Sequence, residues 1–286
     1  MVLFILNLGE NMELRLGYVG NSVFVENCPV NKTVSVMALN KLPTYEKKIQ
    51  KLIKVARENL NNTLQILESN KSLGIQVYGI SPKLFPLPNY PDLEYFNYID
   101  DLKPELEAVG KVLKENQVRA NIHLETGFIL ASLSEKVFVD AMKELKYQNT
   151  VLEYMGLDET YKIVVNIGGM YFQRNGSFER LAEIFEKLDA RLRHRLVIEN
   201  EDRSISTEKL LQLCKKFSIP FFMDAAQQTD EGTLTKAYES WENSKVPPLL
   251  GFANGLNQLK ERKMDELWSA LNSSLEMTGD SDIILK

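Results

Sequence analysis

His123, Glu199 and Asp224 are the residues of this chain whose types most directly promise chemistry. One imidazole and two carboxylates form a donor set that suits a hard divalent cation, Mg2+ or Mn2+. Asn166 and Gln227 stand near them in the pattern and add weaker carbonyl donors. Without a cation, two ionised carboxylates repel, which favours a proton on one of them. The bland reading of the same residues is a hydrogen-bonded polar rim that holds no metal. Each of them ends or follows a short apolar run: VRANIH at 118–123, KIVVNI at 162–167, RLVIE at 195–199 and IPFFMD at 219–224.

The elements that must position these residues repeat along the chain. Strands are predicted at Leu14–Val19, Ile75–Ile80, Val118–His123, Lys162–Ile167, Arg195–Glu199, Ile219–Asp224, Pro247–Phe252 and Asp280–Leu285. Between them the pattern predicts helices. The longest is Thr44–Asn70, where Ile49, Leu52, Ile53, Ala56, Leu60, Leu64 and Leu67 keep to one face. The others are Asp101–Asn116, with Pro104 in its first turn, Ser134–Tyr154 with Ser134 as N-cap, Phe178–Leu188, Ser206–Phe217, Gly232–Asn243 and Glu261–Leu271. Repeated βα units specify a parallel sheet with crossover helices. At 286 residues, near the ~250 of a typical (β/α)8 TIM barrel, closure into a barrel is the expected solution, with an open doubly wound sheet as the alternative. A barrel carries its chemistry at the C-terminal ends of its strands, so the residues above converge on one mouth. No Pro/Gly/Ser-rich linker divides residues 13–286, which are expected to be one domain. Residues 1–12, with Met12 just before the first strand, read as a disordered or misassigned extension.

Composition narrows the partners. The net charge is −5 and the sequence pI about 5.4, so binding to nucleic acid requires a local basic patch. The stretch KKIQKLIK at 47–54 reads as the solvated face of a helix rather than as such a patch. Cys28 and Cys214 lack metal-ligand spacing and are expected to be reduced, in a cytoplasmic protein. The N-terminal apolar run, about six residues, is too short for a membrane span. No membrane association is expected, and a monomer is favoured. His194, in RLRHR, is expected at the surface, Trp241 and Trp268 in packing, and Glu201 and Asp202 as solvated loop charges. Gly168-Gly169 is expected to serve a turn.

LRLGYV at 14–19, MALNKLPTYEKK at 37–48, GIQVYGISPKLFPL at 74–87, MGLDET at 155–160, IGGMY at 167–171 and LVIENEDRS at 196–204 together resemble the UV damage endonucleases. The likeness runs from about residue 13 to 225. It implies an α/β TIM barrel of the xylose-isomerase-like, endonuclease-IV-like kind that holds a cluster of divalent metals, typically manganese. It implies a partner, damaged double-stranded DNA, and a DNA-repair reaction: metal-assisted hydrolysis of the phosphodiester 5′ to a photolesion by an endodeoxyribonuclease.

Carried over position by position, the resemblance keeps His123, Glu199 and Asp224 as metal ligands, with Glu199 the residue catalysis needs most. Tyr18 matches a tyrosine beside the flipped lesion. The histidine before Gly-Gly falls on Asn166. Those after the strand-six aspartate fall on Ala225, Ala226 and Gln227. The histidine of a Thr-His-Pro stretch falls on Tyr90. The Lys-x-His of strand seven falls on Leu249 and Gly251, and the last two ligands fall on Lys263 and Lys286. About six of nine family ligands are thus replaced, and the chain holds only two histidines, His123 and His194. The Gln and aromatic ring that the family pushes into the duplex fall on Thr126 and Gly127, with Phe128 adjacent. One Mn2+ or Mg2+ at most, or none, is expected. Alternative readings are an inactive homologue with a binding or regulatory role and a barrel repurposed for a small sugar-like ligand.

Overall fold

The structure is a computed structural model that describes residues 5–7, 13–88, 98–124, 130, 132, 134–167, 177–199, 206–224, 231–252, 255 and 280–285. Eight parallel strands form a closed ring: β2 (Glu13–Val19), β3 (Val77–Ile80), β4 (Arg119–His123), β5 (Lys162–Asn166), β6 (Leu196–Glu199), β7 (Phe221–Asp224), β8 (Leu249–Phe252) and β9 (Ser281–Leu285). Each pairs with the next, and β2 pairs with β9 from Leu14↔Ser281 to Tyr18↔Leu285, which closes the barrel. The open-sheet alternative is excluded by that pairing.

The helices of the intervening segments are α1 (Val36–Asn40), α2 (Tyr45–Leu73), α3 (Lys103–Glu115), α4 (Glu135–Tyr154), α5 (Ser177–Lys187), α6 (Ala190–Arg195), α7 (Thr207–Phe217) and α8 (Glu231–Glu239). Local chemistry sets their ends. Thr44 Oγ1 accepts from the Lys47 amide at the start of α2, and Gly74, at φ 77°, closes it in the left-handed region that glycine tolerates. Ser206 caps α7, its side chain accepting from the Lys209 amide. Ser134 holds the N-cap position of α4 but makes no side-chain cap bond; its amide donates to Ser132 Oγ instead.

Strand alternation divides the apolar residues into two shells. Val77, Val164, Val197, Phe222, Leu249 and Ile284 fill the barrel interior, above Trp241. The opposite faces of the same strands, with Leu16, Tyr18, Ile122, Ile163 and Ile198 among them, pack against the helices. Both faces are buried, as a barrel requires.

Three elements were not predicted. Ile5–Asn7 form β1, antiparallel to β2 with Ile5↔Arg15 and Asn7↔Glu13, inside the stretch read as a disordered or misassigned extension. β3 meets β2 only from Gly17 onward, so β1 covers the lower edge that β3 leaves open. The short α1 and α6 are the others. Arg195, expected to open a strand, ends α6. The predicted helix Glu261–Leu271 lies outside the described residues, as does Trp268. Among the described residues no helix is long and apolar enough to cross a membrane.

Candidate functional site at the barrel mouth

All eight strands run the same way, so their C-terminal ends form one rim. Val164, Val197 and Phe222 point into the barrel, and the residues two positions further on, Asn166, Glu199 and Asp224, share that inward face. Asn166 lies beside Glu199 in the sheet register, and Asp224 beside Gly251. His123, at the end of β4, sets its ring edge-to-face on Phe222 with centroids 5.1 Å apart. Asn166 and Glu199 are buried, while His123 and Asp224 are half-buried. The barrel therefore brings four of the expected residues to one inner rim. Gln227, Thr126, Gly127 and Phe128 lie outside the described residues.

Two further rim positions lack side chains. At Gly79 a Cβ would lie 2.5 Å from Val19 Cγ2. At Gly251 it would lie 2.9 Å from Phe222 Cζ and 3.0 Å from Cε1. The Phe222 ring, wedged between His123 and Gly251, thus occupies the space a β8 side chain would enter. Leu249, the other inward residue of β8, belongs to the apolar interior. The positions aligned with a lysine and a histidine are filled by hydrocarbon.

Tyr18 faces the other way. It is fully buried on the helix side of β2, where its hydroxyl donates to Asn70 Oδ1 at 2.7 Å and lies 3.0 Å from Ser22 Oγ. Its ring packs edge-on to Tyr78 at 5.7 Å. In this conformation no ligand in the mouth reaches it; it ties β2 to α2. Alternation along LRLGYV carries the signal, since Arg15, Gly17 and Val19 are the inward set.

Sequence reasoning overlooked the opposite end of the barrel. Asp282, fully buried on β9, receives Arg15 Nε at 2.7 Å and also pairs with Arg119 of β4. Arg119 further donates to the Pro247 carbonyl and lies over the Trp241 ring at 5.3 Å. Lys162, at the start of β5, donates to the His194 carbonyl at 2.7 Å. Burial, reinforced by the charges of Arg119 and Arg195, pulls its ammonium down to about 8. Charged residues at inward positions of strand starts were the available signal. This floor stabilises the barrel, since chemistry belongs to the other face. His194 sits here too, exposed in α6 just before β6 begins. The length of β6, at ~3.3 Å per residue, separates it from the mouth.

The family model for UV-endonuclease UvdE matches residues 14–278. The chain belongs to the UV-endonuclease family. The UV DNA damage endonuclease of Bacillus cereus (strain G9842) is 28% identical over 244 residues, covering 83% of this chain and 76% of that one. The UV DNA damage endonuclease of Bacillus anthracis is similar to the same degree, 28% over 244 residues with the same coverage. Among solved structures, SacUVDE superposes with a TM-score of 0.76 at 25% identity, over 96% of this chain and 92% of that chain. Endonuclease IV from Thermus thermophilus shares the fold at a TM-score of 0.51 and 14% identity, over 95% of this chain and 92% of that one.

The donor set can be held against the metal cluster that the resemblance implies. A cluster of hard cations needs several anionic or imidazole ligands converging on it. Among the described residues no three His, Cys, Asp or Glu side chains stand together in a group that could hold a metal ion. His194 is at the wrong end, and the inward positions of β8 are apolar. The described residues do not fit a multi-metal centre. What they form is a polar rim with two carboxylates, one imidazole and one carboxamide.

Proposed function

We propose that this UV-endonuclease family member recognises damaged duplex DNA at its barrel mouth without the multi-metal hydrolysis that the family resemblance implies. The observation that carries the reading is the distribution of histidine. The rim has one imidazole, His123, and the other histidine of the chain lies beyond the barrel floor. Hydrolysing a phosphodiester with a metal cluster requires cations that offset charge on both attacking and leaving oxygens. Glu199 and Asp224 without such cations repel phosphate instead of binding it. The rim can still donate from the Asn166 carboxamide and the His123 ring and accept at both carboxylates, which suits the edges of an extruded base.

A second reading has one specific observation in its favour. His123, Glu199 and Asp224 share the inward face at three strand ends, β4, β6 and β7. Their side chains would have to close in from the spacing they have here to serve as ligands to one Mn2+ or Mg2+, with Glu199 indispensable. The separating experiment titrates the protein into a fluorescein-labelled 30-bp duplex, UV-irradiated or untreated, with and without Mn2+. Tighter binding to irradiated duplex that needs no Mn2+ is expected. Equal affinity for both duplexes refutes the proposal. Mn2+-dependent cleavage of the irradiated duplex, abolished by Glu199→Ala, establishes the one-ion nuclease in its place.

A further inference from the structure

The mouth carboxylates repel a phosphate backbone, so DNA held at this face needs positive charge elsewhere on it. Residues 32–54 supply it. They contain Lys32, Lys41, Lys47, Lys48, Lys51 and Lys54 against a single carboxylate, Glu46. The segment therefore carries a net +5 in a chain of net −5, leaving −10 on everything else. Read as sequence, KKIQKLIK is only the solvated side of a helix. Its place in the fold adds what the pattern lacked.

The segment leaves the C-terminal end of β2, the end at which His123, Asn166, Glu199 and Asp224 close their strands. α1 and the first turns of α2 therefore stand at the mouth face. On α2, Lys47, Lys51 and Lys54 are spaced by four and three residues and form one exposed stripe, opposite the buried Leu52, Val55, Ala56 and Asn59. The stripe spans about 10 Å at 1.5 Å per residue. That length covers roughly three nucleotides at 3.4 Å each. Lys32 is neutralised by Glu58, but Lys41, Lys47, Lys51 and Lys54 have no ion pair among the described residues. Beside them α1 presents Met37, 72% exposed, and Val36, 45% exposed, the most exposed large apolar residues of the described chain together with Tyr45.

The platform is held in place. Asn59, fully buried on α2, accepts from the Lys32 amide at 2.9 Å and donates to the Lys32 and Leu84 carbonyls, each at 2.9 Å. Asn62 donates to the Pro29 carbonyl at 2.7 Å, and Ser35 caps α1. A rigid basic ridge beside an acidic mouth complements a polyanion whose backbone is gripped at the rim while a base is presented to the centre.

We propose that Lys41 and the Lys47–Lys51–Lys54 stripe form the surface that grips the DNA phosphate backbone, with the α1 crest of Val36 and Met37 resting against the groove edge. The inference rests on the DNA-recognition reading above. It is tested with the full chain, the labelled 30-bp duplex and two triple variants of equal charge change. Lys47→Gln/Lys51→Gln/Lys54→Gln removes the stripe. Lys71→Gln/Lys215→Gln/Lys216→Gln removes exposed lysines at the C-terminal ends of α2 and α7, on the floor face. Each backbone contact contributes about 0.9 to the slope of log K against log salt, so the stripe variant loses about 2.7 of slope. Between 50 and 200 mM salt the parent then loses about 40-fold more affinity than the stripe variant. The floor variant keeps the parent's slope. Equal effects of the two triples, or no effect of the stripe triple on a parent that binds DNA, overturns the ridge and leaves the recognition reading standing. A parent that binds neither duplex overturns both. If the stripe triple leaves DNA binding intact and abolishes binding to vesicles containing phosphatidylserine, the ridge belongs to a lipid surface and the proposal is refuted.

Discussion

Gly251→Ala is the sharpest probe of the filled mouth. The new Cβ would meet Phe222 Cζ at 2.9 Å and Cε1 at 3.0 Å. Ordinary carbon contacts lie at about 3.5–4.0 Å. The ring cannot simply swing away, because it is 1% exposed and packs edge-to-face against His123. Burying a methyl group contributes about 0.8 kcal/mol, and losing glycine's freedom in the unfolded chain contributes about 0.4–1 kcal/mol. Overpacking costs typically 1–3 kcal/mol. At contacts this short the upper end applies, so a net loss of about 1 kcal/mol is expected. Phe222→Leu removes both atoms that the Cβ would meet. In that background Gly251→Ala should stabilise by about 1 kcal/mol, giving a coupling of about 2 kcal/mol, inside the range seen for residues in contact. Urea unfolding of the four proteins at 25 °C, with m held constant, measures it. Additivity to within about 0.5 kcal/mol would refute the claim that Phe222 occupies the space of a β8 side chain.

Other expectations concern the barrel frame. Asp282→Ala strips the counter-charge from Arg119 in the floor and should cost about 3–5 kcal/mol by chemical unfolding; replacing the pair by apolar residues of similar volume should cost far less. Lys162 releases its proton near pH 8 in the fold and near 10.5 when unfolded, so between those values the unfolded chain binds more protons and stability rises with pH. From pH 7 to 9.5 the parent should gain about 2 kcal/mol relative to Lys162→Met, measured as the difference in unfolding free energy; a gap that does not change with pH would refute the assignment. Asn59→Ala removes two hydrogen bonds that hold Lys32 in the loop after β2 and a third to Leu84 after β3, and should cost about 2–4 kcal/mol and open residues 21–35 to limited proteolysis.

Much of the frame was legible in the sequence. All eight barrel strands fall within about two residues of their predicted places, because β-branched runs spaced by long amphipathic segments leave few alternatives. β1 was not legible: three residues carry no period, and their partner edge exists only once β2 and β3 are paired. α1 and α6, at five and six residues, are too short to show a helical repeat. The mouth was half legible. His123, Asn166, Glu199 and Asp224 could be placed because polar residues end their apolar strands. Tyr18 was assigned to the lesion on the resemblance alone, whereas the alternation of LRLGYV, which sets it opposite Arg15, Gly17 and Val19, held the contrary signal. The floor of Arg15, Arg119, Lys162 and Asp282 was missed because charges at strand starts look solvated until the barrel closes over them. The lysines of α2 were seen, but their relation to the mouth depends on the direction of β2.

The reading of the mouth is tested most directly by nicking of supercoiled plasmid. UV-irradiated and untreated plasmid would be incubated with the protein, with and without Mn2+, beside an active family member as control. The expected result is no lesion-dependent conversion to open circles under either condition, from protein that still prefers irradiated duplex in the binding assay. Nicking that requires both the lesion and Mn2+, and disappears in Glu199→Ala, would contradict it and show that His123, Glu199 and Asp224 suffice for the family's chemistry.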